Sequence, residues 1–189
     1  MSPPGRPKGE YRSAQHKGTP VTPPGRPKGE SQGAQHEATP VTQPTTLDHA
    51  GIAARVPHSG RMCLLHSLRS WSAERITCNA TSHRDPNNPL RTEGGLLAPV
   101  AIEYASQAMA LHGMLSAAAG SAPTPGFLAA VRSVRLLVPR LDTVAGDLQI
   151  SAHKLAGDTN QALYTFALHD DHGTLLVDGR ATVILNALP

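Results

Sequence analysis

Glu103 is the residue whose charge is most at odds with its surroundings. Between Leu97 and Met114 the chain is a run of good helix formers, and Tyr104, Ser106, Gln107 and His112 are the only other polar side chains in it. A carboxylate on a covered helix is poorly solvated. It then stays protonated nearer to neutral pH, as a general acid requires. The competing explanation is a first-turn carboxylate favoured by the helix macrodipole. His83 is a second candidate, one of ten histidines, placed where a strand ends and a loop opens. Gly94-Gly95, followed by Leu96 and Leu97, forms a third element. Backbone N–H groups at a helix start attract negative charge, and a carbonyl held there would be polarised as in an oxyanion hole.

The elements that must position these groups follow from periodicity. Met62–Trp71 suits a first strand. In the second, Ile76, Cys78 and Ala80 alternate with Thr77, Asn79 and Thr81. The loop from His83 to Gly95 is rich in turn formers. Leu97–Ala119 predicts a long helix, with Pro99 near its start, and Gly120–Pro125 ends it. Four strands are expected after it, over Phe127–Val138, Asp147–Leu155, Ala162–His169 and Leu175–Leu185, with Asp171-His172-Gly173 as a tight turn. Two strands, one helix and four strands joined by short connections predict an α+β domain. In it a single helix covers an antiparallel sheet of about six strands.

Several segments resemble the hot-dog-fold 3-hydroxyacyl-(acyl-carrier-protein) dehydratases. Val56-Pro57-His58-Ser59-Gly60-Arg61-Met62-Cys63-Leu64-Leu65 is similar to the family's opening Leu-Pro-His-x-x-x-x-Leu-Leu segment. His83 with Pro86, and Glu103 with Gln107 and Ala108, resemble its His-Phe-Pro-Gly loop and its Glu-x-x-x-Gln helix. Val134-Arg135-Leu136 and Gly146-Asp147-x-Gln149 resemble its third strand and Pro-Gly-Asp turn. More narrowly, SHRDPNNPLR followed by IEYASQAMALHG is similar to the dehydratase-like proteins of aryl-polyene pigment clusters. Two features depart from the classical pattern: Arg84-Asp85-Pro86 stands where the family has Phe-Pro-Gly, and the loop from His83 to Glu103 is longer.

The resemblance implies a sheet wrapped around a central helix and the dehydration of a 3-hydroxyacyl thioester to a trans-2-enoyl thioester. It implies His83 as the base and Glu103 as the acid, with Gly95, Leu96, Leu97, Ala101 and Gln107 against the substrate. The acyl group would ride on the phosphopantetheine of an acyl carrier protein, with no metal or redox cofactor. The domain would work as a homodimer, or as a heterodimer with another hot-dog dehydratase. Two other functions fit the same residues: a hot-dog thioesterase that uses Glu103 to direct water, and a non-catalytic partner of an active hot-dog chain.

Composition divides the chain near Leu47. Nine of the 17 prolines precede it, and no leucine, isoleucine or phenylalanine does. Such a segment buries too little apolar surface to offset its ordering entropy. Residues 1–46 are therefore expected to be disordered, and 47–189 to form the domain. Residues 3–22 return as 23–42 with 15 of 20 positions identical. The repeated PPGRPKG is similar to the Gly-Arg-Pro core of minor-groove peptides. With one arginine per core and a glutamate directly behind it, nucleic-acid binding is not the expected role. Up to Pro44 there are six basic and three acidic residues; beyond it there are eleven of each. The pI near 9.1 thus belongs to the tail and says little about the domain's partners. Cys63 and Cys78 have no metal-ligand spacing. No apolar run suggests a membrane span or a signal peptide, so a cytoplasmic protein with reduced cysteines is expected.

Overall fold

The computed structural model describes residues 43–117 and 126–185. The tandem repeat, and Gly120–Pro125 as the helix stop, lie outside the described residues. The elements run α1 (His49–Ala53), β1 (Ser67–Trp71), β2 (Arg75–Ala80), α2 (Ala101–Ser116), β3 (Gly126–Leu136), β4 (Leu148–Gly157), β5 (Gln161–His169) and β6 (Leu175–Leu185). The strands form one six-stranded sheet in the order β1-β2-β4-β5-β6-β3, with every pairing antiparallel. α2 lies across β2, β4 and β5.

Alternation drives this packing. Ile76, Cys78 and Ala80 of β2 are buried, as are Leu148, Ile150 and Ala152 of β4 and Tyr164, Phe166 and Leu168 of β5. Period-2 side chains share one face of a sheet, and that face receives α2. The helix meets it with Ala101, Ala105 and Ala108 beside Met109, Leu111 and Leu115. Small side chains allow the close approach that a wrapped sheet requires. The expected sheet around one helix is what the structure shows.

Two boundaries differ from the periodicity. The first strand begins at Ser67 rather than Met62, and Gly60–Met62 is instead a short 3-10 turn. The cause is a side chain acting as a strand: the Gln107 amide takes the backbone hydrogen bonds of Met62 and Leu64. The long helix likewise opens with a 3-10 turn, Ala98–Val100, before α2 proper. At the other boundary, Trp71 Nε1 donates to the carbonyl of Pro44 at 2.8 Å, and Leu47 bridges to Leu68.

Candidate active site

Glu103 and Gln107 lie one turn apart on the same side of α2. Gln107 is fully buried, and both ends of its amide are committed. Its Oε1 accepts from Leu64 N–H at 2.8 Å. Its Nε2 donates to Met62 O at 2.8 Å and to Glu103 Oε1 at 3.0 Å. One side chain therefore binds the 62–64 loop to the helix and orients the carboxylate. From the segment before that loop, His58 Nε2 stands 3.1 Å from the same oxygen, within ion-pair distance if the ring is protonated. To donate there, Nε2 must carry a proton. His58 Nδ1 is buried and has no partner among the described residues. The expectation of a covered carboxylate in apolar surroundings needs correcting within the single chain. Glu103 keeps 32% of its side-chain surface open and has a histidine partner from a distant part of the sequence.

His83 sits in a 3-10 turn, Ser82–Arg84, and is wholly buried. Its Nε2 meets the Val144 carbonyl at 3.2 Å. A carbonyl only accepts, so Nε2 carries the proton and a neutral ring leaves Nδ1 as a bare lone pair. That Nδ1 is buried without a partner. Burial holds the His83 pKa below its ordinary value, against the opposing pull of the Val144 carbonyl. A ring that is neutral, oriented by a carbonyl and left with one free nitrogen has the form of a general base. Its turn is pinned by Ser82, whose hydroxyl donates to Leu64 O at 2.7 Å and meets Tyr104 OH at 2.8 Å, and by Asn88, which donates to Ser82 O. No hydrogen bond or ion pair joins His83 to Glu103 within the chain; the histidine at Glu103 is His58.

At the helix entry most amides are already used. Gly95 N–H donates to Thr92 O at 2.9 Å and Ala98 N–H to Pro139 O at 3.0 Å. Leu96 N–H donates to Asp142 Oδ1 at 3.1 Å. Gly94 N–H and Leu97 N–H have no partner among the described residues, and the Leu97 side chain is exposed. Of the three positions expected to polarise a carbonyl, only Leu97 has a free donor. Gly95 has φ +94°, and a Cβ there would come within 2.2 Å of the Arg140 guanidinium. Arg140 in turn grips Asp142 through two bonds, and Arg91 adds a third. Those arginines, with the Leu96 amide, hold the Asp142 carboxyl well below the usual carboxylate range. Ala101 is fully buried and belongs to the core beneath this entry.

Other chemistry is limited. Burial raises the Cys63 thiol, and pushes Cys78 up to about 12, so neither supplies a thiolate near neutral pH. No group of three or more metal-ligating side chains occurs among the described residues. No helix among them is long and apolar enough to cross a membrane.

Sequence reasoning missed His58 as a site residue. The signal was available in the Pro57-His58 pair of the opening segment, but nothing local linked it to Glu103.

Known proteins bear directly on this arrangement. The family described as ApeP-like, ApeP dehydratase, matches residues 50–187. Among solved structures, the chain is similar to the dehydratase heterocomplex ApeI:P from Xenorhabdus doucetiae. Identity is 26% and the TM-score 0.65, covering 72% of this chain and 91% of that one. More distant likenesses include the thioesterase HI1161 from Haemophilus influenzae, at 15% identity over 62% of this chain and 76% of that one, TM-score 0.47. The PaaI protein of E. coli is 13% identical over 62% and 80%, TM-score 0.47. No curated protein matches the chain. With a hot-dog sheet, a helical Glu-x-x-x-Gln pair and a family match across the described domain, the chain belongs to the ApeP-like dehydratase family.

Proposed function

We propose that the chain removes water from a 3-hydroxyacyl thioester to give a trans-2-enoyl thioester, with the acyl group carried on the phosphopantetheine of an acyl carrier protein. The observation that carries this reading is Glu103, a partly open carboxyl group with one oxygen that accepts from Gln107 Nε2 and lies 3.1 Å from His58 Nε2. The thioester carbonyl would accept from Leu97 N–H. His83 Nδ1 would take a proton from C2. Glu103, protonated, would deliver its proton as the C3–O bond breaks, so that the hydroxyl leaves as water. Each positioned acid or base contributes about 10²–10⁴-fold in rate.

His83 and Glu103 do not meet within the chain, so the reading requires a second hot-dog chain to complete each site. The edge for it is β3, at one end of the sheet, where Phe127, Leu128 and Val131 are exposed. The ApeI:P complex is a heterocomplex, and a related dehydratase chain is the partner we favour over a second copy. One observation supports a different role. His83 is completely closed off in the single chain, as suits a subunit that stabilises an active partner and does no chemistry itself.

The test is incubation of the purified chain, alone and with a hot-dog dehydratase partner from its own cells, with 3-hydroxyacyl carrier protein. Mass spectrometry then reads the bound acyl group. Loss of water that disappears with Glu103→Gln supports catalysis by this chain. Loss of water that survives Glu103→Gln in the complex supports the partner role. Release of free acid would replace both readings with hydrolysis.

A further inference from the structure

The sheet face turned away from α2 carries a groove of about 410 Å³. Ladder register sets its floor. Arg75 of β2 stands opposite His153 of β4, His153 opposite Thr165 of β5, Thr165 opposite Arg180 of β6, and Arg180 opposite Arg132 of β3. Side chains opposite each other on paired strands share a face, so this row crosses five strands on one side. The neighbouring residues Ile76, Ala152 and Phe166 are buried on the α2 side.

β3 departs from regular geometry in a way that keeps its arginines on this face. Arg132 pairs with Arg180 and Arg135 with Asp178, positions two apart on β6 but three apart on β3. In a regular strand the odd spacing would turn one guanidinium inward. The ladder breaks between them, and Ser133 takes φ 52°, which only a few per cent of non-glycine residues do. This bulge absorbs the extra residue and leaves both arginines outward. Arg135 is paired with Asp178. Arg75, Arg132 and Arg180 have no salt-bridge partner among the described residues. Like charges directly opposite on paired strands cost stability, and the Arg132–Arg180 pair carries that cost. The chain beyond Pro44 has equal numbers of basic and acidic residues, so this positive charge is a local concentration.

We propose that this groove docks an acidic segment of a partner protein, laid across the strands from β2 to β3. Four strand spacings give roughly 19 Å, the span of about six extended residues. Thr77 and Thr165 line the floor with hydroxyl groups, while the Ser151 hydroxyl there donates to Ala167 O. The arginines are exposed, whereas small-molecule sites enclose most of their ligand. The only ring in the outward row is the small imidazole of His153, with no phenylalanine, tyrosine or tryptophan to form a stacking platform for nucleobases. A second copy of the chain would set arginine against arginine. The inference is independent of the dehydratase site, which lies on the α2 side of the sheet.

The test is fluorescence anisotropy of a labelled octaglutamate peptide titrated with the full chain, whose basic tail is unchanged in every variant. The wild-type chain should bind the peptide, more weakly as salt rises. R75S/R180S should weaken binding about tenfold, and R55S/R69S, which removes two arginines elsewhere, by less than about twofold. In a thermal melt, R180S should hold or raise the Tm, because it relieves the Arg132 repulsion. Equal losses in the two double variants would overturn the proposal, as would a fall in Tm for R180S. Tighter, groove-dependent binding of mixed-sequence duplex DNA would assign the groove to nucleic acid instead. Complete displacement of the peptide by millimolar phosphate would assign it to a small anion.

Discussion

His58 Nε2 lies 3.1 Å from Glu103 Oε1, and the contact is made possible by Gln107, which holds the backbone of Met62 and Leu64 against α2. A loop residue and a helix residue become partners because a third side chain anchors the loop. The carboxylate's position thus depends on a backbone clamp as well as on the helix that bears it.

Glu103→Gln keeps the shape and accepts the same hydrogen bonds but has no acidic proton to give. Dehydration by the chain should fall about a hundredfold or more. The melting temperature should stay within a few degrees, because Glu103 is partly open. Product formation followed by mass spectrometry, beside a thermal melt, checks both. Unchanged turnover in the chain without a companion dehydratase would remove the acid role.

His58→Gln and His83→Gln should separate by their readouts. His83→Gln removes the proposed base and should abolish the turnover that the wild-type chain shows. His58→Gln leaves the base in place but removes the imidazole that stands beside the carboxylate. Its loss should be smaller, about tenfold, and should vanish when His58→Gln is added to Glu103→Gln. A further tenfold loss in the Glu103→Gln background would show that His58 does not act through Glu103.

Acid should destabilise the fold before it reaches the carboxylates. His83 and His112 are both buried, and burial is the largest influence holding each pKa below the ordinary 6.5. The unfolded chain binds more protons than the folded one below that value, so stability falls as pH drops through it. Urea midpoints should be flat above pH 7 and decline between about pH 6.5 and 5. A midpoint that holds or rises over that interval would contradict the assignment of two neutral buried rings.

Gln107→Leu removes the partner of Leu64 N–H and of Met62 O and supplies no replacement. Each buried group left unmet costs about 1–3 kcal/mol. The Tm should fall by at least several degrees, and activity should fall with it as the His58 loop loosens. A Tm within error of wild type would mean that water or another side chain takes over the clamp.

Truncation should show a sharp boundary. Removing residues 1–42 takes away no expected core residue and should leave the Tm unchanged. Removing residues 1–46 also takes the Pro44 carbonyl from Trp71 Nε1. Trp71 is the only tryptophan, so its emission should shift to the red with the second cut alone. A shift already present with the first cut would place the domain boundary earlier.

β5 was legible because its side chains alternate without interruption, with Ala162, Tyr164, Phe166 and Leu168 on one face. Glu103 was legible as a lone charge in an apolar helix. What could not be foreseen were backbone groups satisfied by side chains. Cys63–Leu65 has the composition of a strand, yet its partner is Gln107. Leu96 N–H resembles a free helix-start donor in sequence, yet Asp142 takes it. Arg132 and Arg135 have opposite parity in a regular strand, and only the bulge at Ser133 places them together. Pattern reasoning follows periodicity, and each of these is a point where a single hydrogen bond or dihedral breaks the period.

His112, near the other end of α2, is as completely bonded as Gln107. Its Nδ1 meets Tyr164 OH and its Nε2 meets Ser72 O, each at 2.9 Å. Between these two pins the helix buries Ala108, Met109 and Leu111, and before the first it buries Tyr104 and Ala105. The azimuth of α2 is therefore set by these polar bolts together with the packing of its larger side chains. Ala105 and Ala108, small buried side chains on either side of Gln107 in the chain, should accept glycine while Glu103 keeps its heading. Loss of either bolt would let the helix turn as a rigid rod and carry Glu103 off its mark, with the secondary structure intact.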